Sequence, residues 1–258
     1  MENLVLYKVE DRICTITLNR VDKRNALNPT LVAQLTQAFE DAANDNNVKV
    51  VLLKGAGKAF SAGADLEYLQ QLQDFSFDEN IQDCNNLKNL FHSIYTHPKI
   101  VIAVVQGHAI AGGCGLATIC DFVYAVPEAN FGYTEVKLGF VPALVSIFLT
   151  SKLAETKAKE LLFTGNLITS SDAKDIGLIN EVIEADVIEE KVQNFAKNLI
   201  ESCSGNSLTV TKKLLNETFH PNLEEHLEKA VTVNATVRSS DDFKNGIAAF
   251  LNKETIRW

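Results

Sequence analysis

The sequence predicts an α/β fold with a parallel sheet at its core and a helical C-terminal region. Short β-rich runs alternate with segments of helical apolar periodicity through the first half of the chain, and helical patterns dominate after Pro142. No repeat, linker or low-complexity stretch divides the 258 residues, so one domain with a helical tail is the economical organisation.

The elements follow in order. LVLYKVE and RICTITLNR are β-rich runs on either side of Asp11 and predict a hairpin. Asn28 and Pro29 begin a helix over TLVAQLTQAFEDAANDN, where Leu31, Leu35, Ala38, Phe39 and Ala42 recur at helical spacing. VKVVLLKG is a strand, and GAGKAFSAGADLEYL is a small-residue loop leading into a helix capped near Asp65. A helix is expected over 79–95, and Pro98 precedes the strand KIVIAVVQG. The glycine turn in HAIAGGCGL opens a helix, DFVYAV is the next strand, and Glu135 in FGYTEVKLGF is placed at a half-buried strand end. PALVSIFLTSKL, ETKAKELLF and SSDAKDIG are helical, and LINEVIE is one short strand. The amphipathic helices VIEEKVQNFAKNLIES, SLTVTKKLLNET, LEEHLEKAVTVNAT and SDDFKNGIAAFLNK complete the chain.

Composition narrows the function classes. A net charge of -9 supplies no domain-wide positive field to replace phosphate counterions, which argues against nucleic-acid binding. The five cysteines are scattered, form no CxxC pair and have no histidine partners in sequence, so no metal site is expected and reduced, buried thiols are. The N-terminal residues show no secretory pattern and no apolar run approaches ~20 residues, so a cytoplasmic protein without a membrane span is expected.

Two segments share a shape that carries chemistry. AFSAGADL and HAIAGGCGL each run from a strand through small residues into a helix N-terminus, where backbone N–H groups lack intrahelical partners. Two such groups from different loops, aimed at one point, would make an oxyanion hole.

With FGYTEVKLG downstream, the sequence resembles the enoyl-CoA hydratase/isomerase, or crotonase, superfamily over nearly its whole length. The matching pieces are LNRVDKRNALN, AFSAGADL, IAVVQGHAIAGGCGLATICD, FGYTEVKLGFVP and FTGNLITSSDAKDIGLINEVI. The resemblance implies a spiral of ββα units over residues 1–200 and a helical trimerisation region over 201–258, forming a homotrimer or a dimer of trimers. It implies an acyl-CoA thioester as substrate, with coenzyme A part of that substrate and no separate cofactor. The N–H groups matching the family's oxyanion hole belong to Ala64 and Gly112, and Glu135 matches its catalytic glutamate. Lys23 and Arg24 match the N-terminal basic position over the CoA phosphates, Lys253 resembles the C-terminal lysine that can reach a neighbouring subunit's ligand, and the SAGAD loop, with Ala62, Asp65 and Leu66, matches the main-chain contacts. Lys88 is a candidate to pair a distal carboxylate on the acyl chain.

One match fails. Two-glutamate hydratases place their other glutamate where this chain has Gly115, so nothing ionisable holds water there. Tyr133 and Ser61 are alternative water holders, Gly115→Glu would restore the acid, and His108 reads as a packed side chain. The combination GGCGL with TEVKLGFVPALVS is similar to bacterial 3-methylglutaconyl-CoA hydratases, which carry a small residue at that place. Hydratase is the favoured reading; isomerase, decarboxylase and a noncatalytic acyl-CoA-binding protein are the alternatives.

Overall fold

In the computed structural model, which describes residues 3–258, the chain winds through two sheets. β1 (Val5–Glu10) and β2 (Ile13–Leu18) form the expected hairpin, turning through Asp11 and Arg12, both at positive φ. α1 (Pro29–Asn44) begins where the Asn28 side chain accepts a hydrogen bond from the Leu31 N–H at 2.9 Å, with Pro29 at its start.

From the third strand to the eighth, successive strands alternate between sheets. β3 (Val50–Gly55), β5 (Ile100–Val105), β7 (Phe122–Ala125) and β10 (Glu181–Val182) extend the first sheet in the order β1-β2-β3-β5-β7-β10, parallel except for the hairpin. β4 (Ala59–Ser61), β6 (His108–Ile110), β8 (Asn130–Gly132) and β9 (Ile168–Thr169) make a second sheet in that order, with only the last pair antiparallel. α2 (Leu66–Gln71) and α3 (Phe77–Tyr95) lead from β4 back to β5, and α4 (Gly112–Thr118) leads from β6 to β7. The result is a spiral of ββα units. All six residues of β5 are buried, as a parallel strand covered on both faces requires.

The helical part consists of α5 (Ala143–Lys152), α6 (Glu155–Thr164), α7 (Ser170–Asp175), α8 (Ile188–Ser202), α9 (Gly205–Phe219), α10 (Leu223–Val237) and α11 (Asp241–Asn252). α10 packs against α3 and α5. α11 is no loose tail: Phe243 and Ile247 join Leu69 and Leu72 in a small satellite core, against which Ala64, Leu66, Tyr68, Leu138 and Phe140 pack. No described helix is long and apolar enough to cross a membrane.

Three expectations are corrected. The loops of AFSAGADL and HAIAGGCGL contain strands β4 and β6, which at three residues each are too short to show a period in sequence. LINEVIE contributes only the two-residue β10. Glu135 is not at a strand end: β8 stops at Gly132, and Glu135 opens a 3-10 turn, Glu135–Leu138.

Candidate active site

β4, β6 and β8 lie side by side and parallel, so all three end at one edge of the small sheet. Just past those ends come Ala64, Gly112 and Glu135, brought from across more than seventy residues. The first two loops touch. Gly63, at φ +88, lies so near the second loop that an added Cβ would meet Ala111 Cβ and the Ile110 carbonyl at 2.9 Å each. Ala111 itself is held at φ 51 and ψ -126, a conformation that costs a non-glycine residue about 1–3 kcal/mol. Its N–H donates to the Gly132 carbonyl at 2.7 Å, which ties the second loop to the third.

That geometry leaves two donors free. Among the described residues neither the Ala64 nor the Gly112 N–H donates a hydrogen bond; Gly112 is the first residue of α4, where helices leave N–H groups unpaired. Both residues are half-buried between fully buried neighbours on at least one side. The first loop is fastened from behind by the segment before α1. The Leu27 N–H donates to the Gly63 carbonyl at 2.7 Å, the Asp65 N–H to the Leu27 carbonyl at 2.8 Å and the Ala62 N–H to the Arg24 carbonyl at 3.0 Å.

Glu135 is 8% exposed, and its Oε2 has no hydrogen-bond partner among the described residues. Burial pushes its carboxyl up to about 7, only weakly opposed by a hydrogen bond from its own backbone. Its titratable neighbours are neutral there: burial raises the Cys114 thiol to about 12, and burial likewise carries the Tyr133 phenol well above its usual range. The strand edge that carries two unpaired backbone N–H groups thus also carries a buried carboxyl pushed toward neutrality, a group able to accept or give a proton near pH 7.

The model of the family described as enoyl-CoA hydratase/isomerase matches residues 8–258. The chain belongs to that family. It is 41% identical over 246 residues to a Thermus thermophilus protein provisionally named an enoyl-CoA hydratase, covering 95% of this chain and 97% of that one. It is 34% identical over 242 residues to the mitochondrial enoyl-CoA hydratase of Pongo abelii, covering 92% and 80%. Among solved structures, an enoyl-CoA hydratase from Bacillus halodurans superposes with a TM-score of 0.90 at 27% identity, covering 95% of this chain and 99% of that one.

Within this hydratase/isomerase the position expected for a second acid is closed. Gly115 is buried on α4, and a Cβ there would lie 2.3 Å from Val145 Cγ1 and 3.0 Å from Phe91 Cε2. Gly115→Glu therefore cannot simply restore a carboxylate, because hydrocarbon from α5 and α3 already fills the space. The other water holders are engaged too. Tyr133 is fully buried with its hydroxyl 3.0 Å from Thr118 Oγ1, and Ser61 donates to the Asn25 carbonyl at 2.8 Å. His108 is not packed inside: it is exposed on β6, and its Nδ1 accepts from the Asn130 N–H at 3.2 Å.

The expected CoA contacts gather only in part. The backbone bonds just described set Lys23 and Arg24 beside the Ala62–Leu66 loop; both are exposed, and Lys23 Nζ pairs with Glu67 Oε1 at 2.7 Å. Asp65 is 3% exposed and bound inward: burial alone would raise its carboxyl, but the Arg20 guanidinium and the Tyr68 N–H outweigh that and hold it low. Arg20 also donates to the Ala26 carbonyl at 3.0 Å. Leu66 is half-buried at the start of α2. Lys88 is half-buried on α3, its ammonium without a hydrogen bond or ion pair among the described residues, and Lys253 is exposed at the left-handed C-cap of α11. Sequence reading missed Arg20, Phe91 and Val145, since nothing local shows that Arg20 reaches Asp65 or that Val145 abuts Gly115.

Two cavities lie elsewhere. One of about 530 Å³ is bounded by Ile147, Phe219, His220 and Val233, and one of about 370 Å³ by Phe148, Lys152, Lys212 and Leu215. Neither is lined by Ala64, Gly112 or Glu135.

Proposed function

We propose that this family member hydrates a short or branched enoyl-CoA thioester such as 3-methylglutaconyl-CoA, with Glu135 as its one acid/base. The observation that carries this is the buried Glu135 carboxyl with a free Oε2, at the same strand edge as the unpaired N–H groups of Ala64 and Gly112. Those two N–H groups receive the thioester oxygen as charge grows on it. As the water oxygen bonds to the β-carbon, the protonated Glu135 gives its proton to the α-carbon, and the carboxylate takes back the proton that the water releases. With hydrocarbon behind Gly115, the distal carboxylate of the substrate holds the water, and half-buried Lys88 is the candidate cation for that carboxylate. Lys23, Arg24 and Lys253 supply charge for the CoA phosphates.

The hydrocarbon at Gly115 also favours a second reading. A site with one carboxylate and no second water holder suits isomerisation, in which Glu135 removes a proton from the α-carbon of a 3-enoyl-CoA and returns it to the γ-carbon.

A spectrophotometric panel with crotonyl-, 3-methylcrotonyl-, 3-methylglutaconyl- and 3-enoyl-CoA separates the readings. Hydration predicts loss of enoyl absorbance, faster for 3-methylglutaconyl-CoA than for crotonyl-CoA by about 10²-fold, the scale of one acid/base contribution. Because hydration begins from the protonated carboxyl, its rate falls as pH rises through about 7. Turnover of 3-enoyl-CoA alone, with a rate that rises through the same pH, would replace hydration with isomerisation.

The reading extends to assembly and place. α9 exposes Val210, Leu214, Leu215 and Phe219, with Val233 exposed on α10, which supports a homotrimer or dimer of trimers covering this face. Five unpaired cysteines, four of them buried, support the cytoplasm.

A further inference from the structure

The satellite core joins both halves of the site, and a buried cation stands behind it. Arg238, at the C-cap of α10, is only 4% exposed. Its Nε donates to Asn234 Oδ1 at 3.0 Å, and its Nη1 donates to Asn80 Oδ1 at 3.0 Å and to Asp83 Oδ2 at 2.7 Å. The Tyr68 hydroxyl donates to the other Asp83 oxygen. The guanidinium carbon lies 5.9 Å from the centre of the Phe140 ring, within reach of a cation–π contact.

Phe140 and Tyr68 are the two links outward. The Phe140 N–H donates to the Glu135 carbonyl at 3.1 Å and so closes the turn that carries the acid; its ring also meets that of Phe243 at 5.1 Å. Tyr68 stands on α2, four residues after Ala64, with its N–H on the Asp65 carboxylate. One network thus touches the donor loop on one side and the acid turn on the other. Burying a guanidinium is costly, and an apolar side chain could fill the same volume at less expense.

We propose that Arg238 is a positioning residue of the active site, holding the Glu135 turn in register with the Ala64 donor loop through Phe140 and the Asp83–Tyr68 pair. It acts through those residues and touches no reacting atom. Its influence is mechanical rather than coulombic. Burial sets the Glu135 carboxyl, Cys114 on α4 and Tyr133 after β8 are neutral, and Lys137 on the same turn is exposed and donates to Asn166 Oδ1 at 3.1 Å. The proposal rests on Glu135 being the proton carrier.

The test measures kcat, KM and the pH midpoint of kcat for Arg238→Met, Arg238→Lys and Phe140→Leu beside Glu135→Gln. A displacement of about 1 Å costs on the order of 10²-fold, so Arg238→Met should lose about that much kcat with KM changed less than about threefold. Its pH midpoint should move down from about 7 as water reaches a loosened turn. Arg238→Lys, which keeps the charge over the ring but not the fork, should recover part of the loss. Phe140→Leu, which removes no charge, should change both readouts in the same direction, and it decides the matter if Arg238→Met does not fold. Lower melting temperatures with parental kcat and midpoint in Arg238→Met and Phe140→Leu would overturn the proposal alone. Parental turnover by Glu135→Gln would remove the proton carrier, and this proposal with it.

Discussion

At Glu135 the proposed function is set against stability. Burial pushes its carboxyl up to about 7 in the folded chain, from the ordinary 4.5 of an unburied glutamate. Between those values the folded state holds a proton that the unfolded state has released, so stability falls as pH rises through that window. Above it the full cost is present, roughly 3 kcal/mol at ~1.36 kcal/mol per unit. Glu135→Gln cannot ionise, so it should be more stable than the parent at pH 8 by up to about 3 kcal/mol and gain nothing at pH 4, less the cost of an unpaired amide. Urea unfolding at the two pH values checks this, and an equal difference at both would mean that the carboxyl is solvated. That Glu135 sits in a short apolar motif was legible in sequence because the motif is local. The orphan state of Oε2 was not, since it depends on what α4 and β8 bring around it.

At the scale of elements, most of the large sheet could be read because β1, β2, β3 and β5 are six residues each, and most helices because their apolar residues recur over several turns, whereas the small sheet that orders the candidate site could not. β4, β6 and β8 are three residues each, and their pairing is non-local. The role of α11 was hidden for the same reason. Its amphipathic pattern announces a buried face, but only the fold shows that the face covers the Glu135 turn. Gly246 marks the contact: a Cβ there would come within 2.3 Å of the Leu138 carbonyl oxygen. Replacing a helix-interior glycine by alanine usually stabilises by about 1 kcal/mol, but here the sign should reverse. Overpacking of this kind costs about 1–3 kcal/mol, so Gly246→Ala should loosen α11, speed its proteolysis and lower kcat. Limited proteolysis alongside kinetics reads both effects, and a more stable, fully active variant would show that α11 is not seated on the turn.

For the whole molecule, the exposed apolar side chains of α9 and α10 border both cavities: Phe219 and Val233 line one, Leu215 and Phe219 the other. Light scattering at micromolar concentration should give three or six times the 28.4 kDa chain mass, and Leu214→Asp should lower it. A monomer mass for the parent would end the trimer reading. The three parallel strand ends have a consequence of another kind, one of heredity. The two groups proposed to receive the thioester oxygen are peptide N–H groups, present whatever side chain a mutation installs at Ala64 or Gly112, proline excepted. The proposed proton carrier, Glu135, and the packing around Gly115 depend instead on side chains, which are open to replacement. A lineage built on this scaffold can exchange one reaction for another by drift at a few positions while inheriting enolate stabilisation intact. Gly115 packed against Val145 marks the constraint on such an exchange, because a side chain at 115 needs the space that Val145 fills.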